Sequence, residues 1–200
     1  ISELPYYLFE NQIDSVFIAL HGRPGEDGEV QSKLESLKIP YNGSDSSSAQ
    51  ITINKYQTLQ KLKKEGMPTT QQLLVHKSDF LADKEKSIQI IENNIQYPLI
   101  AKPVDDGCSS AVKKIKNGSD LRAYLLALFR ENSMVDEANR LQLGLQYKEE
   151  FPIKNAALIE ALIDKKDAVH FLEITGGLLT KYNSEGKIEY EIFEPSEALS

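Results

Sequence analysis

The stretch QYPLIAKPVDDGCSS, residues 96–110, decides the fold and contains the first candidate site. Residues 99–101 are apolar and follow a proline, which predicts a buried strand, and residues 111–115 predict a second short strand. Lys102 ends the first strand, where a buried ammonium group needs a partner. The small residues after it expose backbone N–H groups of the kind that bind anions. This pattern predicts a nucleotide-phosphate site; the alternative is a lysine that reaches solvent beside a tight turn.

The remaining chain predicts alternating helices and strands. Residues 15–20 form an apolar run that predicts a buried strand, followed by a glycine-rich loop, a helix over 29–37 and an extended segment at 39–41. This β–loop–α–β order is typical of an α/β fold. Further helices are predicted at 54–65, at 87–95 and from a cap at 118–120 to residue 130. Further strands are predicted at 71–75, 156–163, 168–175, 178–182 and 188–193, and a loop is predicted at 42–50.

Composition excludes several classes of protein. A net charge of −7, without a basic stripe interleaved with aromatic residues, argues against a nucleic-acid partner. No apolar run is long enough to cross a bilayer, so we expect no membrane partner. The single cysteine, Cys108, excludes an internal disulfide framework and fits a reducing compartment, so we expect a cytoplasmic protein.

Several motifs, taken in order, resemble those of the D-alanine–D-alanine ligase family. The most specific is HGRPGEDG at 21–28, followed by Gln31, Leu34-Glu35 and IPYNGS at 39–44. Asn54-Lys55 with GMP at 66–68, the stretch at 97–110, and LIE at 158–160 resemble later segments of that family. The similarity spans nearly the whole chain and is weakest over 131–151.

The resemblance implies an ATP-grasp fold. Residues 1–52 are then expected to be part of a Rossmann-like N-terminal domain, residues 53–163 the first α+β ATP-grasp lobe, and residues 164–200 the start of the second lobe. The implied activity is that of an ATP-dependent ligase that forms D-alanyl-D-alanine for peptidoglycan, and hence for the cell wall, through an acyl phosphate. The implied partners are ATP and D-amino acids, with a homodimer as one option for assembly.

The resemblance also implies roles for individual residues. Lys55 and Lys102 match the two lysines that contact the ATP phosphates, and Gly107 and Ser109 match residues of the phosphate loop, so Lys102 and Ser109 are the candidate catalytic residues. Glu160 and Ile163 match the adenine hinge. Asp167 stands where the family has a glutamate on the ribose hydroxyls. His21 and Cys108 match positions that meet the amino-acid substrates.

Departures from the family pattern leave alternatives open. Cys108 replaces a serine that hydrogen-bonds substrate, and a thiol is a weak donor. A ligase with a different amino-acid substrate and a non-catalytic nucleotide-binding module are therefore the alternatives. The chain lacks an initiator Met, so we expect a piece of a longer protein whose Mg²⁺ ligands follow Ser200. We assign no metal ligand within the chain, and expect these 200 residues alone not to catalyse ligation.

Overall fold

The computed structural model describes residues 12–107, 110–147, 149–165, 167, 169 and 172–197. The chain forms two compact units, of which the first ends at Leu162 and the second begins at Ile163. The division at residues 52 and 163 that the resemblance implies stays a prediction.

A four-stranded antiparallel sheet is the centre of the first unit. Its strands are β1 (Gln72–His76), β2 (Leu99–Pro103), β3 (Lys113–Ile115) and β4 (Ala156–Ala161), in the order β1-β4-β2-β3. The predicted strands at 71–75, 99–101, 111–115 and 156–163 are confirmed with small shifts of their ends. In the register of β2 and β4, Leu99 lies opposite Ala161 and Pro103 lies opposite Ala157. The segment after β2 therefore runs beside the segment before β4.

The described helices complete this architecture. They are α1 (Glu29–Ser36), α2 (Ser46–Ile53), α3 (Lys55–Lys64), α4 (Lys77–Ala82), α5 (Lys84–Asn94), α6 (Gly118–Leu128) and α7 (Glu137–Gln142). Asn117 caps α6, because its side chain accepts a hydrogen bond from the Asp120 amide; the predicted cap at 118–120 lies one residue too late. Asp45 likewise caps α2, which begins inside the predicted loop at 42–50.

The main hydrophobic core covers one face of the sheet. Alternate strand residues such as Leu99, Ala101 and Ile159 are fully buried in it, together with the apolar faces of α5 and α6. Tyr124 of α6 is also fully buried and donates a hydrogen bond to the Ala111 carbonyl. Since successive strand residues face opposite ways, the other set of side chains, which includes Lys102 and Glu160, lies on the opposite face of the sheet.

A smaller core lies under α1. Val30, Leu34 and Ile39 form it, as the helical spacing predicts. The prediction of a buried strand over residues 15–20 is wrong: only Val16 forms a β-bridge, parallel to Tyr41, and Phe17 is 80% exposed. An apolar run becomes a buried strand only where neighbouring strands cover it, and the described residues provide a single bridge.

The second unit contains two small antiparallel sheets. One pairs β5 (Ile174–Thr175) with β8 (Ser196–Glu197), and the other is a hairpin of β6 (Leu178–Tyr182) and β7 (Ile188–Ile192). The hairpin confirms the predicted strands at 178–182 and 188–193. Of the strand predicted at 168–175, only the last two residues are extended in a sheet, while residues 168, 170 and 171 lie outside the described part of the chain.

None of the helices in the described ranges is long and apolar enough to cross a membrane.

Candidate functional site

Lys102 and Glu160 form an ion pair on the face of the sheet opposite the main core. The register places Ile100 opposite Glu160 and Lys102 opposite Leu158, and directly opposed residues share a face. Lys102 Nζ lies 2.5 Å from Glu160 Oε2, and the two side chains are only 20% and 9% exposed. The sequence contains two charges that each require a partner, and the structure shows that they satisfy one another.

Lys55 is brought to the same region by the start of α3. Its backbone N–H donates to the Val104 carbonyl over 2.8 Å, which ties the helix to the segment after β2. Its ammonium donates to the main-chain carbonyl of Asp106. Burial lowers the pKa of Lys55 and the positive charge of Lys102 lowers it further, whereas the charges of Asp106 and Asp105 raise it. Two ammonium groups suit an anion with several charges, and a phosphate site at these lysines stays a prediction.

The segment that follows β2 is acidic and is held by two further cations. Lys154 Nζ lies 2.6 Å from Asp106 Oδ1 and 3.0 Å from Asp105 Oδ1. Arg23 binds the other oxygen of Asp105 at 2.8 Å and also contacts Asp27 at 3.0 Å. This network connects the HGRPGEDG loop, the segment after β2 and the segment before β4.

The network changes the pKa values of Asp105 and Lys154. Burial alone raises the pKa of Asp105, but the hydrogen bond and charge of Lys154, together with Arg23, outweigh it and hold that pKa below its usual value. Burial lowers the pKa of Lys154, but hydrogen bonds to Asp106 and Asp105 outweigh the burial and raise it. Both groups are therefore charged at neutral pH.

A pocket of about 570 Å³ borders the lysine site. Its lining comes from Ile18 and Leu20, the HGRPGEDG loop, residues 42–44 and α2, together with Lys55, Asp106 and Gly107. Gln31 fixes the loop by donating from Nε2 to the Gly25 carbonyl over 2.6 Å. A volume of this size suits a small molecule.

His21 stands at the start of that loop, where the resemblance places a substrate contact. Its Nδ1 lies 3.4 Å from Glu26 Oε1. A Cβ atom added to Gly107 would lie 3.9 Å from His21 Nε2, so the histidine lies beside Gly107, where the predicted phosphate loop begins. The structure thus brings His21, Gly107, Lys55, Lys102 and Glu160 into one unit.

The remaining predicted site residues are Cys108, Ser109, Ile163 and Asp167. Cys108 and Ser109 lie outside the described residues. Ile163 and Asp167 belong to the second unit, where Ile163 is 63% exposed. Their roles at an adenine and ribose site stay predictions. Within the described ranges, no group of three or more His, Cys, Asp and Glu side chains could hold a metal ion.

Sequence reasoning missed Lys154 and Arg23. The signal was present in the two adjacent carboxylates, Asp105 and Asp106, because acids that border an anion site need counter-charges. Which cations supply them depends on the register of β2 and β4 and on the path of the HGRPGEDG loop, and local patterns do not show either.

Two family models match this chain. One, described as the D-ala D-ala ligase N-terminus, matches residues 7–44, and the other, described as the D-ala D-ala ligase C-terminus, matches residues 61–143. Together they cover well over half of the chain, and the first contains the whole HGRPGEDG loop.

Sequence relatives carry the same description. The D-alanine–D-alanine ligase of Aquifex aeolicus is 35% identical over 157 residues, which are 76% of this chain and 51% of that protein. The D-alanine–D-alanine ligase of an Azoarcus species is 34% identical over 130 residues, covering 65% of this chain and 40% of the relative. The chain thus spans about half the length of the curated relatives it matches, or less.

Solved structures share the fold. The VanG D-Ala:D-Ser ligase of Enterococcus faecalis superposes with a TM-score of 0.66 at 22% identity, over 92% of this chain and 43% of that one. The D-alanine–D-alanine ligase of Bacillus anthracis complexed with ATP gives a TM-score of 0.59 at 25% identity, over 94% and 55%. The predicted α/β architecture of the ATP-grasp type is confirmed by these likenesses.

Proposed function

This chain belongs to the D-alanine–D-alanine ligase family, and we propose that the whole protein is an ATP-dependent ligase that joins two D-amino acids. ATP and D-alanine are its proposed substrates, in line with the names of its relatives. A cytoplasmic location and use of the dipeptide in peptidoglycan synthesis belong to the same proposal.

One juxtaposition in the first unit carries the proposal. The pocket of about 570 Å³ beside the HGRPGEDG loop is lined in part by Lys55, Asp106 and Gly107, and the proposed phosphate loop begins at Gly107. A ligase that works through an acyl phosphate must hold an amino-acid carboxylate next to the terminal phosphate of ATP. A small-molecule pocket lined by Lys55, and by Asp106 and Gly107 just beyond the strand that contains Lys102, meets this requirement.

The chemistry assigned to this site has two steps. An oxygen of the first amino acid's carboxylate attacks the γ-phosphorus, the bond to the β–γ bridging oxygen breaks, and ADP leaves. The amine of the second amino acid then attacks the acyl carbon and loses a proton, while the bond to phosphate breaks, giving an amide and inorganic phosphate. Lys55 and Lys102 neutralise the oxygens that carry charge during the first step.

The protein holds these lysines in position before the nucleotide arrives. Lys102 is aligned by Glu160, and Lys55 by the main-chain oxygen of Asp106. Such preorganised charges need little rearrangement when negative charge develops, which is the main source of electrostatic catalysis. Divalent metal ions support phosphoryl transfer in general. The described residues do not offer a suitable ligand group, so we assign no step to a metal here.

A ligase with another amino-acid substrate is the second candidate. Cys108 stands in the loop where the family resemblance places a serine, and one structural neighbour is named as a D-Ala:D-Ser ligase. A change of hydrogen-bonding strength at this position affects the amino-acid substrates more than ATP. Phosphate release measured with D-alanine alone, and with D-alanine plus D-serine, distinguishes the two candidates.

The phosphate site is tested by removing its lysines in the whole protein. We expect Lys102→Ala and Lys55→Met each to weaken ATP binding by about 2 kcal/mol or more, because each removes a partly desolvated contact to an anion. Lys63→Ala is the control, since Lys63 lies on the exposed face of α3 and should change the affinity little.

Isothermal titration calorimetry with ATP measures these affinities, and phosphate release with D-alanine measures the reaction. Both lysine variants binding ATP as tightly as the Lys63 control would refute the phosphate site. ATP binding without D-alanine-dependent phosphate release would keep the site but exclude the ligase activity with that substrate.

A further inference from the structure

Two carboxylates stand where the phosphate loop begins. Asp105 and Asp106 follow β2 directly, and Asp106 lines the pocket beside Lys55. A triphosphate placed at Lys55 and Lys102 would bring several negative charges to the same region, and like charges at such distances repel strongly where water is partly excluded. Binding of the nucleotide at this position therefore requires that the two carboxylates are neutralised.

Lys154 supplies most of this neutralisation. Its ammonium bridges Asp106 at 2.6 Å and Asp105 at 3.0 Å, and its side chain is only 19% exposed. Asp105 also binds Arg23, whereas Lys154 is the one cation that forms an ion pair with Asp106 among the described residues. Removing Lys154 would leave the Asp106 carboxylate without that counter-charge.

Lys55 lies close enough to respond to such a change. Its ammonium already donates to the main-chain oxygen of Asp106 and senses the charges of Asp105, Asp106 and Lys154. An unpaired Asp106 carboxylate would attract this ammonium. The lysine would then be committed to the protein's own acid and less available to an incoming phosphate.

We propose that Lys154 is a positioning residue of the phosphate site: by occupying Asp105 and Asp106 it keeps Lys55 available to the nucleotide. This inference rests on the proposed function, since it takes ATP as the ligand. Lys154 itself needs no contact with the nucleotide, because it acts through Asp106. Its position is fixed by the pairing of β2 with β4, which places residues before Ala157 beside those after Pro103.

The test is a double-mutant cycle in the whole protein, with ATP and adenosine as separate probes in calorimetry. We expect Lys154→Met to weaken ATP binding about tenfold and to leave adenosine binding unchanged, because only ATP carries the phosphates. The double variant Lys154→Met/Asp106→Asn should recover ATP affinity to within about twofold of the parent, since it removes the uncompensated acid. Lys154→Arg should retain it.

Lys113→Met is the matched control. Lys113 pairs with Glu149 at 2.7 Å, and its side chain is 24% exposed, which is similar to the Lys154 side chain. Lys113 is paired with Ala101, so it lies on the core face of the sheet and not on the face of Lys102 and Glu160. We expect this variant to bind ATP like the parent.

While the parent binds ATP, the proposal would be overturned by unchanged ATP affinity in Lys154→Met, or by a double variant as weak as Lys154→Met alone. Equal losses for ATP and adenosine would also overturn it, because they would indicate general damage to the fold. A parent that does not bind ATP would instead refute the proposed function, and this inference with it.

Discussion

The ion pair between Lys102 and Glu160 gives the sharpest prediction about stability. Replacing Lys102 with Met keeps most of the side-chain volume but removes the charge that Glu160 faces at 2.5 Å. The Glu160 side chain is only 9% exposed, so its carboxylate cannot recover full hydration in the variant. Breaking a buried pair in this way is strongly destabilising, because an uncompensated charge remains inside.

The expected loss follows from the exposure of both partners. Removing one member of a fully buried pair costs about 3–5 kcal/mol. The Lys102 side chain is 20% exposed, so water can reach part of the pair, and we expect a value near the lower limit, about 3 kcal/mol. For a folding unit of about 150–250 residues that loss lowers the melting temperature by roughly 6–12 °C.

Hydrogen exchange of the amides of Ala157, Leu158 and Ile159 measures this loss in the first unit itself, because these residues lie in the central strand β4. Lys102→Met/Glu160→Leu should recover most of the stability, since an apolar pair often replaces a buried ion pair without loss. A single variant that loses less than about 1 kcal/mol, or a double variant that recovers nothing, would contradict the reasoning.

Lys61→Met is the control for the loss of an exposed pair. Lys61 and Glu65 lie one helical turn apart at 3.1 Å, and their side chains are 60% and 55% exposed. Pairs of this kind contribute about 0.3–0.5 kcal/mol. The protection of β4 should therefore remain close to that of the parent.

Two further predictions concern the acidic segment and the end of α6. The pKa of Asp105 is lowered in the folded state, so the contribution of its carboxylate to stability is present above the unfolded pKa near 3.9 and is lost as the pH falls through the folded pKa. Urea titrations should therefore show Asp105→Asn to be less stable than the parent by about 1 kcal/mol at pH 7, and the difference should vanish in acid. The Arg130 guanidinium donates to the main-chain carbonyls of Ala127, Ser133, Phe151 and Pro152. Arg130→Met should therefore cost about 2 kcal/mol in thermal unfolding, and Arg130→Lys should restore only part of it, because an ammonium cannot span these acceptors.

Local patterns predicted the elements whose own residue spacing and flanking residues mark them. The spacing of Val30 and Leu34 predicted α1, and the proline-bounded apolar run at 99–101 predicted β2. The run at 15–20 has equally apolar residues, yet it forms only one bridge in the described structure. Apolar composition indicates a preference for burial, but a strand also needs partners along its length, and those are set by distant parts of the chain.

The same distinction explains which site residues the sequence could indicate. Lys102 and Glu160 stand out because each is a charge inside an apolar strand, so the need for a partner is visible without the structure. Lys154 has no such signal, because it lies in a polar segment where a lysine is ordinary. Its importance arises from a pairing between strands more than 50 residues apart in sequence, which brings it to within 3.0 Å of both Asp105 and Asp106. A lysine in a loop can therefore control an anion site through the acids around it, and such a residue becomes visible only when the strand register is known.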